Sequence, residues 1–378
     1  MEFSFSEEQR LIRDASREFL RKECPSDLVR EMEEEEDRGY HPELWRKMAE
    51  LGWLGLIFPI EYGGSEGNVL DLIVLLEEMG RYLVPVPFLP TVILGGLSIL
   101  SAGTEEQKRE FLPKIANGEL ILTMALTELN LNYNSVGINI QASREGNNFL
   151  INGTKLFVPY AHVADYLVCA TRTKNCKKKE DGITLFLIDG KNPGVRCTVL
   201  KTTACDKQCE VVFDRVKVTE ENMLGKYNKG WKIIRKVLDQ AVIAECALMI
   251  GGAEKVLDMT VAHAKTRVQF GRPIGSFQAI QHKCANMAID LDGAKFTTYE
   301  AAWKISQGRP CTLEVSMAKA WVNQAYKRIC ANGHQIHGGS GVIKDHDMQL
   351  YSRRAKAAEF LWGDTNFHRE IVAQQLGL

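Results

Sequence analysis

The sequence predicts an α+β chain: a helical N-terminal region, a small middle β domain and a C-terminal four-helix bundle. Three observations carry this. Apolar residues recur at helical spacing through the first third. After about residue 120 the pattern changes to short β-rich runs between turn residues, and from Gly230 onward the helical period returns in long segments. The expected boundaries are 1–119, 120–228 and 229–378.

In the first region Ser6 stands three residues before Gln9, the spacing of a capping box. Leu11, Ile12, Ala15, Phe19 and Leu20 follow at helical spacing, and Pro25 ends that helix. Pro42 opens a second helix carrying Leu44, Trp45, Met48 and Leu51. Gly63-Gly64 breaks the chain before an apolar helix from about Val69 to Gly80. Pro85, Pro87 and Pro90 predict an extended connector, and Glu105 to Ile115 a short amphipathic helix ending near Gly118.

The middle region offers strands at Ile121–Leu126, Phe149–Ile151, Tyr166–Ala170, Ile183–Ile188 and Val211–Val218. Turn residues such as Glu145-Gly146-Asn147-Asn148 and Lys191-Asn192-Pro193-Gly194 separate them. The basic cluster Lys174, Lys177, Lys178 and Lys179 reads as a solvated loop. The last region offers helices over about 231–264, 277–307, 311–337 and 346–374, packing antiparallel.

Composition narrows the function classes. The 378 residues, 45% apolar and 25% charged, suffice for two or three domains with sizeable cores. A formal net charge of −1 argues against broad attraction to nucleic acid or to an anionic membrane. No segment approaches the roughly 20 apolar residues that span a bilayer. Met1–Ser6 lack the basic stretch and apolar run of a signal peptide. A cytoplasmic protein, or a matrix protein after processing, is expected. The ten cysteines form no CxxC pair, and Cys205 and Cys209 lack a second pair at zinc-ribbon spacing, so free thiols are expected and no metal.

Several blocks, in order, resemble the acyl-CoA dehydrogenase family. They are Leu51-Gly52-Trp53-Leu54-Gly55 with Pro59-Ile60-Glu61-Tyr62-Gly63-Gly64; Gly103-Thr104-Glu105-Glu106-Gln107-Lys108; and Asn152-Gly153-Thr154-Lys155. The most diagnostic is Arg267-Val268-Gln269-Phe270-Gly271-Arg272-Pro273-Ile274, and the last is Gln335-Ile336-His337-Gly338-Gly339-Ser340-Gly341. The resemblance implies a helical domain, a β-barrel-like domain and a helical bundle, with FAD as cofactor. It implies that Arg267, Gln269, Phe270, Gln335, Gly338 and Gly339 reach the FAD of a neighbouring subunit. An arginine suits the pyrophosphate and glycines allow close backbone approach. It further implies flavin contacts from Leu126, Thr127, Phe157, Pro159 and Thr365. Pro159 stands where the family usually has Thr or Ser, and proline offers no hydroxyl. His337 replaces no known ligand and reads as a core or interface residue.

The implied reaction oxidises an acyl-CoA between Cα and Cβ: a carboxylate takes the α-proton and hydride passes to the flavin. The two family positions for the base fall here on Gly363 and Ala241, and neither is an acid. Asp364 is the next residue after the first. Glu245 lies one helical turn beyond the second, among Val242, Ile243, Ala244, Ala247, Leu248 and Met249. Asp364, Glu245 and a base outside this chain all stay open. The backbone N–H of Gly363 could still serve the thioester oxygen.

The acyl-binding loop also departs: Thr127-Glu128-Leu129-Asn130-Leu131-Asn132-Tyr133-Asn134-Ser135 lacks the family's glycines and aspartate. This resembles the small-subunit-like branch, similar to pimeloyl-CoA and other heteromeric dehydrogenases, and implies a cyclic, branched or dicarboxylic acyl-CoA. The expected partners are an acyl-CoA substrate, an electron-transfer flavoprotein, and other subunits in a homotetramer or a heterotetramer with a related chain. The competing readings are a half-site or non-catalytic subunit and a family member recruited to other work.

Overall fold

The computed structural model describes residues 5–378. Met1–Ser4, part of the stretch read for a signal peptide, lie outside the described residues. Four helices come first: α1 (Glu7–Glu23), α2 (Ser26–Glu34), α3 (Pro42–Glu50) and α4 (Val69–Arg81). A π-helical stretch, Leu89–Gly96, leads into α5 (Leu97–Ala102), and α6 (Glu105–Ala116) follows. The strands are β1 (Leu122–Ala125), β2 (Gln141–Glu145), β3 (Asn148–Pro159), β4 (Tyr166–Arg172), β5 (Ile183–Asp189), β6 (Val195–Leu200), β7 (Gln208–Thr219) and β8 (Met223–Leu224). Then come α7 (Gly230–Thr266), a small hairpin of β9 (Val268–Gln269) and β10 (Arg272–Pro273), α8 (Gln278–Ser306), α9 (Thr312–His337), α10 (Gly339–Val342), α11 (Met348–Phe360) and α12 (Thr365–Gln375). Among the described residues no helix is long and apolar enough to cross a membrane.

The Ser6–Gln9 capping box forms in both directions, each bond 3.1 Å long. Asn68 with Asp71 opens α4 in the same way, and Thr104 with Gln107 opens α6. Three expectations need correction. Pro90 does not extend the connector: it lies in the first turn of the π-helical stretch, where a missing N–H leaves no bond unmade. The single helix expected over 346–374 is two, broken at Leu361–Asp364. The strands β2, β6 and β8 were not expected: β2 is largely exposed and mostly polar, β6 is a half-exposed strand of only six residues, and β8 has two.

The chain divides into two compact units. One joins the stretch up to Arg30 with Asn68–Val84 and Val242–Leu378; the other joins Glu31–Gly67 with Pro85–Ala241. The second holds the sheet, in the order β6-β7-β3-β2-β4-β5-β8, with β1 pairing in parallel with β4. Gly146 makes the two-residue β2–β3 hairpin, its φ of +62° at the first central position being one that glycine adopts freely. Phe149, Ile151, Leu167, Phe186, Val211, Phe213 and Val216 fill the core on one side of these strands.

In the helical unit α8, α11 and α12 all pack on α9. Helices α4 and α7 approach at glycines: a Cβ on Gly80 would stand 2.0 Å from the Leu248 carbonyl oxygen, and one on Gly251 1.8 Å from that of Glu77. That crossing buries acids. Glu78 is held by Arg17 through two bonds of 2.9 and 2.7 Å, and Glu254 by Lys295 at 3.2 Å. Glu77, beside them, is pushed up to about 7, first by burial, and Lys295 only partly offsets this. A carboxyl raised in the folded state favours folding fully below its unfolded value near 4.5, and that contribution is lost as pH rises through about 7. Glu77→Gln is therefore expected to melt higher than the parent at pH 8, by on the order of 1–3 kcal/mol, and to match it near pH 4; thermal unfolding across that range checks it.

Candidate active site

In the β unit the Leu126–Glu128 segment is locked to β3. Lys155, fully buried, donates to the Leu126 carbonyl at 3.0 Å and to Glu128 Oε1 at 2.8 Å, and Leu156 N donates to the Thr127 carbonyl at 2.8 Å. Glu128 also accepts from the backbone N–H groups of Asn139 and Ile140, so the buried carboxylate is fully engaged. Leu126, Thr127 and Pro159 are buried, whereas Phe157 stands out at 44% exposure. Phe157 has φ of +52° and lies where the β3–β7 register shifts between Lys155 and Val158. A bulge there aims one aromatic out of the sheet.

The loop after Glu128 has its own order. Asn130, Asn132 and Asn134 each accept, through Oδ1, from the backbone N–H two residues on. These consecutive Asx turns take the place of glycine turns and leave Leu129 at 84% and Leu131 at 52% exposure. The alternating asparagines are the sequence signal that could have found this.

In the helical unit the two blocks assigned to one FAD come together. Arg267 follows His263 by one turn of α7, and the His263 ring stacks on His337 with centroids 4.3 Å apart. His337 in turn meets His346 edge-on at 4.8 Å. The triad leaves both ring nitrogens of His337 buried without a hydrogen-bond partner among the described residues, and burial with neighbouring imidazoles pulls it down to about 4. Arg267, Gln269, Phe270, Gln335, Gly338 and Gly339 are all exposed, Phe270 to 91%. Phe270 and Gly271, at φ of +54° and +78°, form the two-residue turn between β9 and β10.

A second, buried set lies at the end of α11. Gly363 has φ of +114°, and a Cβ there would stand 2.3 Å from the Phe367 ring and 3.0 Å from His368 Nε2. The turn is shaped for glycine. Asp364 caps α12, its Oδ1 accepting from Phe367 N at 2.8 Å. Thr365 is buried, and its hydroxyl accepts from Gln324 Nε2 at 2.9 Å, so the side chain faces α9. His368 bridges Ser316 Oγ at 3.3 Å and the Trp362 carbonyl at 3.2 Å. Burial holds His368 down to about 4, so the ring is neutral: Nε2–H donates to the carbonyl, and Nδ1 accepts from the serine. Glu245 is 7% exposed on α7, one turn before Met249. Met249 Sδ lies 3.8 Å from the ammonium of the fully buried Lys319. Lys319, which sequence reasoning missed, carries no motif signal: nothing local marks a lysine as buried.

Three models of one family match in order: acyl-CoA dehydrogenase N-terminal domain over 6–119, middle domain over 123–216 and C-terminal domain over 228–377. The chain belongs to the acyl-CoA dehydrogenase family. Members of that family are FAD-dependent flavoproteins acting on CH–CH bonds. The chain is 33% identical to the probable acyl-CoA dehydrogenase YngJ of Bacillus subtilis, covering 100% of both, and 33% identical to the caffeyl-CoA reductase-Etf complex subunit CarC of Acetobacterium woodii, covering 98% and 99%. Among solved structures, butyryl-CoA dehydrogenase of Megasphaera elsdenii matches with a TM-score of 0.93 at 29% identity, over 100% of both chains.

The residues present suit a dinucleotide. A Cβ on Gly338 or Gly339 would meet no atom within 4 Å, so the turn after α9 is an open cradle, tied through the histidine stack to an exposed arginine. The glycine-shaped turn at Gly363 generates a test. Gly363→Glu, which places an acid at the commoner family position, is expected to destabilise the fold by at least about 1–3 kcal/mol and to gain no activity. Thermal unfolding of the variant beside the parent measures the first, and acyl-CoA oxidation the second.

Proposed function

We propose that this chain is an FAD-dependent acyl-CoA dehydrogenase in which Glu245 exchanges the α-proton of the thioester. When bound, FAD supplies the hydride acceptor for Cβ. The observation that carries the reading is the pair of environments around the two nearby acids. Asp364 caps α12, while Glu245 is 7% exposed among apolar residues of α7, one helical turn from the empty family position at Ala241 and so on the same face.

Arg267, Gln269, Phe270, Gln335, Gly338 and Gly339 would hold the FAD of a neighbouring subunit, and Leu126, Thr127, Phe157 and Pro159 would contact the chain's own. Thr365 contributes through its backbone, since its hydroxyl is turned to Gln324. The Gly363 N–H would donate to the thioester oxygen, a role that needs no side chain. The assembly is a tetramer of like or related chains, and the electrons pass to an electron-transfer flavoprotein; the complex named for the Acetobacterium relative supports that partner. Names among the relatives include reductases as well as dehydrogenases, so the direction follows from the electron partner. The 127–135 loop, which lacks the family's glycines and aspartate, supports a cyclic, branched or dicarboxylic acyl group over a straight one.

Anaerobic mixing with acyl-CoAs, followed by loss of flavin absorbance, tests the reading. Glu245→Gln should bleach about 10²–10⁴-fold more slowly than the parent, and Asp364→Asn, which keeps a capping oxygen, at the parent rate. Parent-rate bleaching by Glu245→Gln would remove it as the base. One flavin per two chains would favour the half-site subunit. Arg267→Ala should lose FAD on dialysis, because the pyrophosphate loses its charged partner; full retention in absorbance spectra would contradict that contact.

A further inference from the structure

We propose that Arg172 is a positioning residue for the substrate: its buried guanidinium fixes the loop after Glu128 before an acyl-CoA arrives, and so sets how tightly the acyl group is held. The inference rests on the reading of this chain as an acyl-CoA dehydrogenase whose 127–135 loop meets the acyl group.

The loop has no glycine between Thr127 and Ser135, and Leu131 stands in the left-handed region at φ of +52°. A leucine stays there only where surrounding bonds over-determine it. Two buried charges supply that restraint where the loop returns. Glu128 takes the N–H groups of Asn139 and Ile140. Arg172, at the end of β4 and 6% exposed, takes the carbonyls of the same stretch. Its Nη2 donates to the Ser135 carbonyl at 2.7 Å and its Nε to that of Ile138 at 3.1 Å. Its backbone N–H donates to the Ile140 carbonyl at 2.7 Å, just where Gln141 opens β2 and pairs with β4. An anion thus holds the N–H groups of 135–140 and a cation holds the carbonyls.

The remaining nitrogen of the guanidinium serves the β4–β5 connection. Nη1 donates to the carbonyls of Lys179 and Asp181, each at 2.9 Å, and the Asp181 carboxylate is tied to Lys229 at 2.8 Å. One planar group therefore pins the loop to a segment that two core strands anchor; a guanidinium presents donors along more than one edge, as an ammonium does not. Burial pulls Arg172 below its ordinary value, and Cys176 and Glu128 oppose that. A cation taken out of water is costly to hold, and charge-assisted bonds to four carbonyls offset the cost. Two of the four belong to the loop. Opening the loop would strand their donors, so the closed shape is favoured with or without substrate.

The test uses the flavin-loaded full chain. Anaerobic bleaching is followed against the concentration of an acyl-CoA that the parent oxidises, which gives a limiting rate and a half-saturating concentration. In Arg172→Gln the half-saturating concentration should rise about 10- to 100-fold, while the limiting rate and the FAD content stay near those of the parent. Arg172→Lys, which keeps the charge and three donors, should lie between the two. A half-saturating concentration that does not move in Arg172→Gln overturns the proposal and makes Arg172 a fold residue alone, whatever happens to the melting temperature. A parent that no acyl-CoA bleaches overturns the reading of the function, and the proposal falls with it. Hydrogen exchange of the parent needs no variant. The amides of Asn134, Val136, Gly137, Asn139 and Ile140 all donate within the loop. They should exchange slowly without substrate and change by less than about threefold when acyl-CoA is added. Fast exchange that slows only on adding acyl-CoA would show that the substrate, and not Arg172, sets the loop, and would sink the proposal even if no Arg172 variant folds.

Discussion

The carbonyls at the buried end of α11 must find donors, and α9 supplies them. A helix leaves its last carbonyls without partners in its own ladder, and burial removes the water that would otherwise serve. Lys319 joins the Leu361 N–H at the Ala358 carbonyl, Asn323 serves that of Glu359, and beyond the helix His368 serves that of Trp362. The chain is thereby stopped at Phe360 and turned through Trp362 and Gly363 before Asp364 caps the next helix. The residue that opens α12 and the glycine before it are consequences of that stop.

The β unit solves the corresponding problem with a complete ion pair. Lys155 gives one hydrogen bond to the Leu126 carbonyl and one to Glu128, and Glu128 collects two backbone N–H groups beside it. Ten non-glycine residues among those described have φ between +51° and +62°, and four of them are aromatic. Phe157, Phe270 and Trp362, with φ between +52° and +62°, lie in segments proposed to meet cofactor or substrate; Tyr160, at +54°, is the fourth such aromatic. Left-handed aromatics persist only where surrounding bonds over-determine them, which ties the rigidity of each unit to its candidate site.

Much of this was legible in the residues. The capping boxes, the prolines and the change of period mark most elements, because each acts over three or four neighbours. Where a signal was faint the reading stopped short: β2 is mostly polar, β6 is only six residues long, and the break at Leu361–Asp364 lies inside a continuous helical period. The family blocks named the cofactor segments, and the empty base positions were visible as Gly363 and Ala241.

The choice between Asp364 and Glu245 was not legible. Both are acids at short distance from an empty position, and sequence spacing treats them alike. Folding separates them, since one carboxylate closes the N-terminus of α12 and the other is buried along α7. The sequence by itself determined the family and the order of most elements, because these are written in local pattern and motif. Only the tertiary structure decided which acid caps a helix and which is buried, because burial arises between elements far apart along the chain.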